Sequence, residues 1–314
     1  MQNRRSAIFT AYIFLASVAS FALAGCNQQS TVASSPATEA RDHLAFGGRL
    51  FDMWYDDIDT NFIPDDADTP EVDGQGGPNN NGTLNNVNGI PIANNAHDYR
   101  FKNLLGWDMR GAAGIYGTDH QNKPYILPNG PLSPEFASTN RQQWINWISN
   151  GTELLPAYSE VLDAAQIATL VDYMLAVRDR RLPHPDDLYT LSSSAPKGFI
   201  LNTGGDAAAG HEFYHSTCAG CHGDDATAIL FNGGEQTLGM HARYYGYAIA
   251  MITLAGEPGS EMGPQLAPEL FAPQQTQQLL NLLAALCDRT RYPRGNATDP
   301  EVPDGDPRCQ EYLR

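Results

Sequence analysis

The residues best placed to do chemistry form one short run, Cys218-Ala219-Gly220-Cys221-His222. In an exported chain, C-x-x-C-H reads as a site of covalent c-type haem attachment. The spacing has a chemical reason. Two thiols about one helical turn apart reach the two vinyl groups of one porphyrin, and the adjoining imidazole then lies under the iron as its proximal ligand. Two plainer readings use the same residues. A structural disulfide needs only the thiols, and half a zinc site needs further Cys or His ligands at suitable spacing; no second Cys pair follows. The expectation is one covalent haem c, held by Cys218, Cys221 and His222.

Those residues must be positioned by helices. Residues 207–217 read as a helix with Phe213 and Tyr214 one turn before the motif. This stretch resembles the first helix of class I c-type cytochromes. Downstream, residues 247–254 read as a buried helix ending at Gly256, followed by Gly259-Ser260-Glu261-Met262-Gly263-Pro264. A methionine in a Pro/Gly loop before the last helix resembles the distal iron ligand of that family, which makes Met262 the second axial residue that the resemblance implies. Met251 lies within an apolar helix and reads as core. His241, beside Met240, is the alternative sixth ligand. It matters which one binds, because a thioether favours the ferrous state and raises the reduction potential relative to a second imidazole. The last helix starts near Pro273, where proline suits a first turn, and Thr276, Leu279, Leu280, Leu283 and Cys287 keep helical spacing.

The first half of the chain resembles the same unit with the haem chemistry removed. Gly47-Gly48-Arg49-Leu50-Phe51-Asp52-Met53-Trp54-Tyr55 is similar to the opening helix of exported two-domain, dihaem c-type cytochromes. In that family a haem motif precedes Gly-Trp-Asp. Here the matching stretch is Phe101-Lys102-Asn103-Leu104-Leu105-Gly106-Trp107-Asp108, so Phe101 and Leu104 take the cysteine positions and Leu105 the histidine position. Where the family shows Met-Pro-Ala, this chain has Leu155-Pro156-Ala157, after a helical stretch at 144–151. A capping-box spacing at Asp163–Gln166 then starts an amphipathic helix. An empty pocket of haem size, about 500 Å³, would cost on the order of 10 kcal/mol at ~24 cal/mol/Å³. The expectation is therefore that Phe101, Leu104, Leu105 and Leu155 help fill it, with Trp107 or a collapsed loop. An unrelated helical domain over 42–182 is the plain alternative; His97 and His120 stand in the wrong context for a noncovalent haem.

The N-terminus reads as an address. Arg4 and Arg5 precede an apolar run over 7–23, and Leu23-Ala24-Gly25-Cys26 resembles a bacterial lipobox in which Cys26 is lipidated. An uncleaved membrane anchor is the other reading, although the run is short for a span. Asn27 is not the aspartate that often retains lipoproteins at the inner membrane, so the periplasmic face of the outer membrane is favoured. In that oxidising compartment Cys287 and Cys309 are expected to pair, stapling the C-terminal tail by roughly 3 kcal/mol.

The domain reading is a signal peptide over 1–25, a flexible tether over 26–41, a degenerate cytochrome c-like domain without haem over 42–182, a linker over 183–204 with His184 exposed, a haem-binding cytochrome c domain over 205–290 and a tail over 291–314. The fold class is all-α, with two cytochrome c-like helical domains and long loops. Residues 56–95 are rich in Asp, Asn, Gly and Pro and read as a surface insertion. The Asp57–Asn61 alternation is calcium-like, but Phe62 replaces the needed glycine and Asp68 the needed glutamate.

Net charge is −17, and removing residues 1–25 makes it two units more negative. Such a surface repels nucleic acid and anionic lipid and attracts a partner with a basic docking face. There is no Walker A run, dinucleotide fingerprint or G-x-S-x-G. The expected function is single-electron transfer by a lipid-anchored monohaem cytochrome to or from a redox protein, with the membrane engaged through the N-terminal lipid only. A haem subunit of a periplasmic dehydrogenase or oxidase complex is the alternative, as is a haem-based gas or redox sensor should Met262 not bind the iron. A dihaem peroxidase is disfavoured, since the first half cannot attach its haem.

Overall fold

Helix α1 (Pro36–Asp57) begins on a proline, whose fixed φ suits a first turn, and carries Glu39 near its positive end. It starts inside the stretch expected as tether. Leu50, Phe51 and Trp54 form its fully buried face. A computed structural model describes residues 36–62, 83–85, 88–93, 96–119, 126–231, 234–267, 272–295 and 301–314. Residues 1–25, read above as a signal peptide, and Cys26, His97, His120 and Asp68 lie outside the residues or side chains described.

The described chain is predominantly helical. After α1 come α2 (Phe101–Leu105), α3 (Tyr116–Asp119), α4 (Arg141–Asn150), α5 (Ala164–Arg178), α6 (Pro185–Leu188), α7 (Ala207–Phe213), α8 (Ala219–His222), α9 (Leu238–Ala255) and α10 (Ala272–Leu286). Strand is confined to three two-stranded antiparallel ribbons: β1–β2 (Thr83–Asn85, Pro91–Ala93), β3–β4 (Tyr189–Leu191, Phe199–Leu201) and β5–β6 (Leu230–Phe231, Gln236–Thr237). Among the described residues no helix is long and apolar enough to cross a membrane.

Two close helix crossings organise the core. A Cβ on Gly47 of α1 would lie 2.5 Å from the Thr169 carbonyl oxygen of α5. A Cβ on Gly210 of α7 would lie 1.9 Å from the Asn281 carbonyl oxygen of α10. Only glycine permits either approach. Each crossing has one side-chain-capped partner. Asp163 and Gln166 form a reciprocal capping box on α5, and Asp206 Oδ1 accepts from Ala208 N at 2.9 Å on α7.

Residues 35–314 cluster as one unit. Helix α1 packs on α9 as well as α5: a Cβ on Gly48 would lie 2.6 Å from Ala255 Cβ, and Arg49 Nη1 donates to the Ala255 carbonyl at 3.2 Å. The segment read as a linker holds α6 and the β3–β4 ribbon, registered Tyr189↔Leu201. His184 is a correction to the sequence reading. It is 7% exposed rather than solvated, and its Nδ1 caps α6 by accepting from Asp186 N at 3.2 Å. The tail is likewise docked. Leu201 N donates to the Arg308 carbonyl at 2.9 Å, Cys287 and Cys309 are joined by a disulfide with Cα atoms 6.0 Å apart, and buried Arg243 donates to Glu301 and to the carbonyls of Leu286 and Tyr292.

Candidate functional site

The cysteine motif sits at the end of a distorted helix. Helix α7 runs into a π-helical stretch, Tyr214–Cys218, and α8 then carries Cys221 and His222. One-turn π segments concentrate at functional positions because they re-aim side chains. Tyr214 is fully buried and its hydroxyl donates to the Gly223 carbonyl at 2.6 Å, pinning the turn that leaves the motif. Cys218 and Cys221 are both free thiols, Cys218 half-buried and Cys221 exposed. Burial pushes the Cys218 thiol up to about 11, with a smaller contribution from Cys221. Burial also holds the His222 imidazole below its usual range, so the ring is neutral, the form that binds iron. Its Nδ1 is buried without a hydrogen-bond partner.

The backbone that leaves this motif recurs in the first half. Helix α2 ends on Gly106 at φ 76°, ψ 153°, and α8 ends on Gly223 at φ 81°, ψ 160°. Two residues further on, Asp108 Oδ1 accepts from Arg110 N at 3.3 Å, and Asp225 Oδ1 accepts from Thr227 N at 3.2 Å. One residue beyond, Met109 (φ 55°) and Ala226 (φ 64°) are both non-glycines in the left-handed region, and their amides donate to Gly106 and Gly223. The distal side repeats too. Helix α4 ends on Gly151 (φ 66°) and α9 on Gly256 (φ 91°). Thr152 N donates to the Leu155 carbonyl at 2.7 Å; Glu257 N donates to the Met262 carbonyl at 2.9 Å. A Cβ on Gly151 would strike Leu155 O, and one on Gly256 would strike Met262 O. The backbone therefore places Leu155 and Met262 at equivalent points.

The side chains at those points differ. Phe101, Leu104, Leu105 and Leu155 are all 0% exposed and belong to one core. Phe101 packs on Tyr158 with ring centroids 4.0 Å apart, and the Tyr158 hydroxyl donates to the Tyr99 carbonyl. In the second half His222 and Met262 are half-buried, and the ribbon after the motif presents Ile229 at 41% and Leu230 at 45% exposure. Phe231 stacks on His222 (6.2 Å, 15°) and on His241 (5.0 Å, 18°). Burial, then the charge of Lys102, pushes His241 down to about 4, so it too is neutral. Its Nδ1 lies 3.3 Å from Gln236 Oε1.

Sequence reading missed a charged cluster that joins the halves. Lys102 of α2 pairs with buried Asp52 of α1 and lies 4.6 Å from the Trp107 ring centroid. Burial, and next the Asp52 charge, pushes Glu257 up to about 7 on the loop that carries Met262. Asp57 also accepts from Gly259 N at 2.9 Å. No linear pattern announces these pairs, since each spans two elements far apart in sequence.

The donor set suits a c-type haem. Two unpaired thiols three residues apart, an imidazole directly after the second, and apolar side chains exposed beside them are the groups a porphyrin would bond and cover. Among the described residues no three His, Cys, Asp or Glu side chains converge, so nothing completes half a zinc site. No family model matches the chain, and no curated protein or solved structure is significantly similar to it.

Proposed function

We propose that the chain is a lipid-anchored c-type cytochrome facing the periplasm, carrying single electrons through one covalent haem in its second half. Cys218 and Cys221 would form the thioethers, and His222 and Met262 would be the axial ligands. When bound, the group supplies a one-electron iron couple. The chain's residues do the rest. The π-helical stretch ends on Cys218 and α8 carries Cys221 and His222 directly after it, burial lowers the His222 imidazole from its usual range, and the Glu257–Met262 backbone bond fixes the distal loop. Phe231 restricts rotation of His222 by stacking on it. The observation that carries this reading is the free Cys218–Cys221 pair with His222 directly after it on the same short helix. The acidic surface speeds encounter with a basic redox partner and makes that encounter slow as salt rises. Cys26 would hold the chain at the outer membrane by its lipid.

Haem quantitation tests the proposal: one haem per chain that survives denaturing extraction, and none in the Cys218→Ala/Cys221→Ala double variant. Two haems per chain, or none, would overturn it. Met262→Ala should lower the midpoint potential and admit carbon monoxide to the reduced protein. Ready carbon monoxide binding by the unmodified protein would favour the sensor reading instead.

A further inference from the structure

One turn before the cysteines, the chain reads His211-Glu212-Phe213-Tyr214-His215. Histidines four apart on a helix share a face, and this H-E-x-x-H spacing is one that presents two imidazoles to a single metal ion. Both histidines line the same open hollow on the surface, with Ala208, Glu212, Ser216 and Arg291.

One ring is held by a hydrogen bond and the other faces a carboxylate. His211 Nδ1 lies 2.9 Å from the hydroxyl of Tyr292, a fully buried residue, and its ring packs against the Tyr292 ring at 5.3 Å. His215 Nδ1 lies 3.5 Å from Asp224 Oδ1. Ligating histidines are commonly oriented in this way: an oxygen takes the far N–H, fixing the tautomer and leaving Nε2 for the metal. Neither ring has a partner at Nε2 among the described residues. The surrounding charge is mixed, Glu212 and Asp288 against Arg291, on a chain whose net charge draws cations.

From this geometry we infer that His211 and His215 form a surface site for a divalent transition-metal ion of the kind imidazole prefers, separate from the haem motif. Among the described residues no third His, Cys, Asp or Glu converges there. Solvent, or a side chain of another molecule, therefore fills the remaining positions, as at other incompletely protein-ligated zinc sites.

The test uses the full haem-loaded chain, titrated with Zn(II) in a calorimeter. One saturable site is expected that His211→Ala/His215→Ala abolishes. Tyr292→Phe keeps both ligands but frees His211, and should weaken binding about tenfold. His215→Asn, at a residue on the surface, guards against misfolding of the double variant and should also abolish the site. With Cu(II), two nitrogen couplings are expected in the electron spin spectrum. No saturable Zn(II) site, or one that survives His215→Asn and the double variant unchanged, would overturn the assignment.

Discussion

Residues 101–109 and 218–226 turn the same corner with different side chains. A glycine at positive φ ends each short helix, an aspartate caps the turn two residues later, and a non-glycine residue in the left-handed region closes it. In the first half the corner carries Phe101, Leu104 and Leu105 into a sealed core; in the second it carries two thiols and an imidazole to a partly exposed face. The scaffold is thus separable from the chemistry mounted on it. Backbone geometry is kept by glycines and caps, whereas the side chains mounted on it are sealed in the first half and partly exposed in the second.

The largest expected contrast lies at one equivalent pair. Leu104→Ala should destabilise the chain by about 2–5 kcal/mol in denaturant unfolding, because it opens a cavity in the core, with haem content unchanged. Cys221→Ala, at an exposed thiol, should remove one thioether while any packing cost stays within about 0.5 kcal/mol. Equal packing costs, or haem loss in the leucine variant, would break the comparison.

The aspartates of the two turns offer the next contrast. Asp108 is fully buried, and burial raises its carboxyl to about 6 against hydrogen bonds from Ile115 and Arg110. A raised folded-state pKa means that its stabilising contribution is present below the ordinary carboxylate range and lost as pH rises through about 6. The loss amounts to about 3 kcal/mol at roughly 1.4 kcal/mol per unit. Asp108→Asn should flatten stability across that window. Asp225, at the matching point of the second turn, is exposed.

The smallest effects should fall on the distal glycines. Gly151→Ala and Gly256→Ala each force a side chain into the left-handed region against a carbonyl, at about 1–3 kcal/mol apiece. Matching losses sharpen the equivalence of Leu155 and Met262; a tolerated Gly151→Ala would end it. Only Gly256→Ala should also lower the reduction potential, by loosening the Met262 loop.

Much of this was legible along the chain. The Cys218–His222 run gathers two thiols and an imidazole within five residues, so its donor set is readable without any tertiary contact. The helical spacing of Ile167 to Leu175 and of Thr276 to Cys287 and the Asp163–Gln166 capping box are local signals, and the structure carries α5 (Ala164–Arg178) and α10 (Ala272–Leu286) there. The two prolines that flank His184 look like a solvated linker, yet its ring is buried and caps α6 by accepting from Asp186 N.

Composition and spacing by themselves determined the predominance of helix, the capped start of α5 and the thiol and imidazole donors of residues 218–222, all of which depend on neighbours within a few turns. Tertiary structure alone decided that α1 of the first half packs on α9 of the second, that Lys102 meets Asp52, and that His211 and His215 share a hollow braced by Tyr292. Those pairings rest on close approach between distant segments, which burial and shape select and which no local pattern encodes.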